Sequence, residues 1–80
     1  MKPIRIEVRN TMNGDKALME VTADTRLQEI LDNSVELWSL PTEPFLMRAG
    51  RRLLSASKTV EESSLEDGDA IDILPDPEGG

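Results

Sequence analysis

Eighty residues make one small domain, near the lower limit of what a hydrophobic core alone can hold folded. With no Cys and no His, the chain excludes disulfides, thiolate nucleophiles, Cys/His zinc sites and imidazole acid–base chemistry. Its 16 acidic and 9 basic residues leave a formal charge of −7, which argues against nucleic acid as a partner and favours basic protein surfaces. These residue types point away from an enzyme and imply no cofactor. A small domain without disulfides fits a reducing, cytoplasmic setting. No apolar run reaches membrane-spanning length, so no membrane is expected as a partner. Met1-Lys2 leads straight into a strand pattern rather than a signal peptide.

Residues 3–9 alternate, with Ile4, Ile6 and Val8 on one face and Arg5, Glu7 and Arg9 on the other, which predicts a strand with one buried side. Asn13-Gly14-Asp15 is a hairpin signal, and Ala17, Met19 and Val21 alternate on the returning, antiparallel strand. Thr25-Arg26-Leu27-Gln28 reads as a capping box, with Asp24 as a competing cap. Leu27, Ile30, Leu31, Val35 and Trp38 then recur at helical spacing, with Ser34 on the same side and Glu29, Asp32 and Glu36 on the solvated one. Leu40-Pro41 is expected to end that helix, because the residue before proline avoids the α region.

Pro44 opens a third strand over residues 45–49, closed by Gly50, and Arg51-Arg52-Leu53-Leu54 is expected to give a brief fourth before a loop over residues 55–58. Thr59-Val60-Glu61-Glu62 is a second capping box, expected to open one helical turn that carries Val60 and Leu65 inward. Asp67-Gly68-Asp69 is a turn signal, and Ile71 and Ile73 alternate with Asp72 on the last strand. The expected core is Ile4, Ile6, Val8, Met19, Val21, Leu27, Ile30, Leu31, Leu46, Leu53, Val60, Leu65, Ile71 and Ile73. The helix between hairpin and third strand must cover the sheet's apolar face.

Past the last strand stand Pro75, Asp76, Pro77, Glu78, Gly79 and Gly80. Pro75 and Pro77 are expected to end the pairing, since proline has no N–H for a sheet, and to bias the tail toward an extended, solvated form. Glycines without Cβ let the backbone thread a channel too tight for other residues, and a carboxylate presented this way suits an enzyme that adenylates it. A frayed terminus also looks like this, so Gly79-Gly80 decides nothing alone.

The element order, ending in a glycine pair just past the last strand, resembles the β-grasp fold of the ubiquitin family. Ala49-Gly50-Arg51-Arg52-Leu53 resembles ubiquitin's Ala-Gly-Lys-Gln-Leu segment. From there to Gly80 the two align without a gap, with Thr59-Val60, Leu65, Ile71 and Ile73 at ubiquitin's Thr-Leu, Ile and paired Leu positions. Glu20-Val21 and residues 25–30 are similar to the end of ubiquitin's second strand and its helix start, and Leu65-Glu66-Asp67-Gly68-Asp69 is equally similar to SUMO and to prokaryotic ubiquitin-like proteins. The resemblance implies an α+β roll, with a four- to five-stranded mixed sheet on one main helix over residues 1–74 and a flexible tail over 75–80.

It also implies a non-catalytic modifier, monomeric when free and prokaryotic in type. An ATP-dependent activating enzyme would adenylate Gly80, a thioester would follow there and on a conjugating enzyme, and Gly80 would end on an amine of a target protein. An isopeptidase would reverse the bond. Pro75, Asp76, Pro77 and Glu78 would be read by the activating enzyme, whose surface should be basic where ubiquitin's enzyme is acidic. Asp67-Gly68-Asp69, Pro75 and the glycine pair are also similar to the sulfur carriers of molybdopterin and thiazole synthesis, which end at a Gly80-type thiocarboxylate. A third expectation is a plain ubiquitin-like binding module. By the same resemblance Met47 falls at the position of ubiquitin's recognition patch with Leu74 beside it on the adjacent strand, and Phe45, Met47 and Leu74 are expected to face outward together, unless a one-residue slip turns Phe45 and Met47 inward. Arg51 stands where ubiquitin has its main chain-linking lysine, which favours single-copy modification.

Overall fold

The computed structural model describes residues 2–77. The elements are β1 (Ile4–Asn10), β2 (Lys16–Val21), α1 (Leu27–Leu37), β3 (Phe45–Ala49), β4 (Arg52–Leu54) and β5 (Ala70–Pro75). One five-stranded mixed sheet runs in the order β2-β1-β5-β3-β4. β1 and β5 are parallel at its centre, and the other pairs are antiparallel. This is the α+β, β-grasp roll that the resemblance to the ubiquitin family implies.

Ile6, Val8, Ile71 and Ile73 are fully buried on the central strands, under Leu27 and Ile30 of α1. Alternation along each central strand sends every second residue to this face, so the two parallel strands supply the middle of the core. Val60 and Leu65 close one end, and Ile4, Met19, Leu31 and Trp38 pack at its margin.

The Asp67-Gly68-Asp69 turn sets the parallel pairing. Gly68 takes a φ of +91°. Its N–H donates to Arg5 O at 2.8 Å, Arg5 N donates to Asp67 Oδ1 at 2.7 Å, and Glu7 N donates to Asp69 O at 3.0 Å. The turn is thereby sewn to β1 and launches β5 alongside it.

Two helix signals work differently from their sequence reading. Thr25 Oγ1 accepts Thr22 N at 3.1 Å, so it caps the preceding turn rather than the helix. The helix begins at Leu27 instead, and Glu29 reaches back to accept Arg26 N at 2.9 Å. The first free helical N–H groups go to a distant loop: Leu27 N donates to Lys58 O at 2.9 Å and Gln28 N to Ala56 O at 3.0 Å. The Thr59–Glu62 box does form, but as a turn rather than a helix, and it brings Val60 and Leu65 inward as expected.

The third strand departs from the expected core. Met47 is 3% exposed, whereas Leu53 is 66% exposed and Leu46 turns to the opposite sheet face. The cause is the β3–β4 hairpin. Ala49 pairs with Arg52, so the two-residue loop is Gly50-Arg51, with Gly50 at φ +62°. Positive φ at the first loop position alone is the signature of a type II′ turn, which takes Gly there. That turn, together with pairing to β5, fixes which β3 residues face the helix, and Phe45, Met47 and Leu54 take the inner places.

Candidate functional site

β5 leads the chain from the core to the molecular edge. It runs on through Pro75, opposite Phe45, and Asp76 N still donates to Pro44 O at 3.1 Å. Pro75 therefore does not end the pairing. The Asp76–Pro44 bond puts the bonded positions at alternate residues, which leaves Pro75 where no ladder N–H is required. Pro44 cannot return a bond to Asp76, and Pro77 has no N–H, so the ladder stops between these two prolines. Of the expected tail, Pro75, Asp76 and Pro77 are described; Glu78, Gly79 and Gly80 lie outside the described residues.

The expected patch of Phe45, Met47 and Leu74 is not brought together. Phe45 and Met47 point to the helix side, the consequence of the hairpin register above, and only Leu74 faces outward. What the outer face does carry is Leu46 directly opposite Leu74, with Leu53 opposite Arg48 one pair further on. The outward apolar group is thus Leu46, Leu53 and Leu74. No local signal marks it, because Leu46 and Met47, and likewise Leu53 and Leu54, are adjacent apolar residues between which alternation cannot choose.

A charged row crosses the same face. Leu53, Arg48, Asp72, Arg9 and Lys16 are successive cross-strand partners on β4, β3, β5, β1 and β2. Asp72, with its side chain 17% exposed, lies between the two guanidiniums: Arg9 Nε is 2.9 Å from Oδ1 and Arg48 Nη2 is 3.4 Å from Oδ2. One carboxylate among three cations leaves this row positive on a chain of net charge −7. The helix is the opposite, with Glu29, Asp32 and Glu36 and no Lys or Arg between Leu27 and Leu37. An apolar group edged by cations on one face can bind an acidic, apolar protein segment.

Among the described residues, no cluster of His, Cys, Asp or Glu is arranged to hold a metal ion, and no helix is long and apolar enough to cross a membrane.

No protein-family model matches the chain, and no curated protein matches it in sequence. Solved structures do. The ubiquitin of Caldiarchaeum subterraneum is similar with a TM-score of 0.81 and 19% identity, covering 98% of this chain and 99% of that one. A designed protein based on ubiquitin is similar with a TM-score of 0.83 and 22% identity, covering 96% of this chain and 93% of its own. A chain from a structure concerned with mimicry of SUMO in DNA repair reaches a TM-score of 0.79 at 15% identity, covering 92% of each. Strand order, single covering helix and these likenesses agree: the chain has the ubiquitin-like β-grasp fold.

Proposed function

We propose that the protein is a ubiquitin-like modifier, activated at Gly80 by an ATP-dependent adenylating enzyme and joined through that residue to amines of target proteins. The observation that carries the reading is the route of β5. A central strand, held in the core by the buried Ile71 and Ile73, runs out to a proline-bounded edge, and Pro77, Glu78, Gly79 and Gly80 come after Asp76. The strand ties Pro75 and Asp76 to β3, and Pro77, which has no N–H, adds no bond to that ladder. Gly79 keeps the approach to the carboxylate thin enough for a narrow channel. Asp76 and Glu78 favour an activating enzyme with basic groups along that channel. Each nucleophile of the reaction, and the conjugating enzyme and isopeptidase that follow, belongs to a partner.

Intact mass spectrometry of the protein and its larger forms from its own cells tests this. A ladder of heavier species that disappears on deletion of Gly80 is the expected result. A free species in which one oxygen is replaced by sulfur would instead identify a sulfur carrier ending in a Gly80 thiocarboxylate. No adducts, no sulfur, and no consequence of deleting Gly79 and Gly80 would leave a binding module. That second reading draws on the outward Leu46, Leu53 and Leu74 beside Arg48, and Leu46→Asp would abolish its interactions.

A further inference from the structure

A second surface adjoins the tail. Between α1 and the loop 41–44 lies an open groove of about 420 Å³, lined by Leu31, Val35, Pro44 and Phe45 and rimmed by Asp32 and Glu43. That volume falls in the range of binding pockets, about 300–1,000 Å³. Phe45 faces the helix side rather than the outer face and so forms part of the groove's wall, with Pro41 and Pro44 of the loop also lining it. Pro44 is also the residue whose carbonyl accepts Asp76 N, so the start of the tail is bonded to the groove's own wall.

Charge identifies the occupant. The residues lining the groove include carboxylates and no Lys or Arg, and Glu36 follows one turn along the same helix. In the sequence the tail carries Asp76 and Glu78, and two acidic groups make it a poor occupant for an acidic rim. A protein with basic groups for the tail meets the groove in the same approach.

We infer that this groove is a docking site for a segment of the tail-reading partner in which an apolar side chain is flanked by Lys or Arg. The inference rests on the modifier reading, since it takes the partner from it. The apolar side chain sits against Leu31, Val35 and Phe45, and the cations meet Asp32 and Glu43. Groove and tail then act as two linked contacts of one partner, so each raises the effective concentration at the other.

Two measurements test it. In the first, the full chain labelled with ¹⁵N is titrated with the peptide acetyl-Lys-Leu-Phe-Lys-Arg-amide and, as a charge-reversed control, acetyl-Glu-Leu-Phe-Glu-Asp-amide. Saturable shifts at Leu31, Val35 and Phe45 with the basic peptide alone are expected, weakened at least about tenfold in the Asp32→Lys/Glu43→Lys variant. No saturable binding, equal binding of the acidic peptide, or shifts centred on Leu46 and Leu74 overturn the proposal. In the second, the same variant is compared with the unaltered chain for adducts in its own cells. Fewer adducts support the docking site, and an unchanged yield overturns it while leaving the modifier reading intact. Both exchanged carboxylates are on exposed residues, so the variant keeps its core. If the unaltered chain forms no adducts, the modifier reading itself fails and takes this proposal with it.

Discussion

Glu62 closes a capping box in which each partner serves the other: its carboxylate accepts Thr59 N at 2.9 Å, and its own N–H donates to Thr59 Oγ1 at 3.1 Å. The bond from the Thr59 backbone, then that with its hydroxyl, and the nearby charge of Lys58 hold the carboxyl below its ordinary 4.5. A carboxylate depressed by folding contributes stability that is present above its unfolded value and is lost as pH falls through the folded one. Glu62→Gln is therefore expected to lower stability at neutral pH, with the difference from the parent shrinking as pH drops below 4.5. Urea melts of both proteins across that range check it. Met47 and Leu53 give the second residue-scale prediction. Met47→Ala removes a buried side chain and should cost about 2–5 kcal/mol, whereas Leu53→Ala on the exposed face should stay within about 0.5 kcal/mol. Equal costs in denaturant melts would mean the β3 register is wrong. The core positions on β1, β5 and α1 were legible because alternation or helical spacing marks them. Those on β3 were not, because Phe45, Leu46 and Met47 are apolar on both faces and periodicity cannot choose between them.

Elements are bounded by hydrogen bonds that local sequence shows only in part. α1 ends at Leu37, earlier than Leu40-Pro41 suggests, in a Schellman arrangement: Leu40 N donates to Val35 O at 3.0 Å and Ser39 N to Glu36 O at 3.4 Å. Ser39 holds the left-handed position at φ +51°, which glycine occupies without Cβ strain. Ser39→Gly should therefore raise stability by about 0.5–1 kcal/mol, read as a shift in the denaturant midpoint at unchanged slope. Gly50 is the converse case. Gly50→Ala meets no neighbouring atom but must adopt φ +62°, and should cost about 1–2 kcal/mol in the same melts. The Thr59–Glu62 box was readable because both partners lie within one turn. The start of α1 was not, because its N–H groups are met by Lys58 and Ala56 carbonyls some thirty residues away.

At the scale of the whole molecule, charge is distributed rather than balanced. The outer sheet face carries Arg5, Arg9, Lys16 and Arg48 against Glu7, Glu20 and Asp72, α1 is purely acidic among its ionisable residues, and the whole chain sums to −7. A net charge of this size repels itself in the compact state. The Arg9–Asp72 and Arg48–Asp72 pairs are partly exposed on the arginine side and add little against it. Added salt at neutral pH should therefore raise the melting temperature, because screening relieves the repulsion more than it weakens these pairs. A fall in thermal melts would show that the row across the sheet matters more than the overall charge. Separation of this kind also gives the protein two approaches of opposite sign, one over Leu46 and Leu74 and one over the groove beside Phe45.

The sequence by itself determined the β-grasp order, the central strands, the helix and the proline-bounded route to the tail. Alternation, helical spacing, Asp67-Gly68-Asp69 and Pro77 are local signals that agree with one another and with this fold. Tertiary structure alone decided which apolar residues of β3 and β4 face solvent, what caps α1, and that Pro75 remains in the sheet. Each of these depends on a partner distant in the chain. Pairing to β5 and the Gly50-Arg51 turn set β3, the loop 55–58 caps the helix, and the Pro44 carbonyl receives Asp76. Local periodicity carries no information about such partners, because it records which face a residue shares with its neighbours and not what lies across from it.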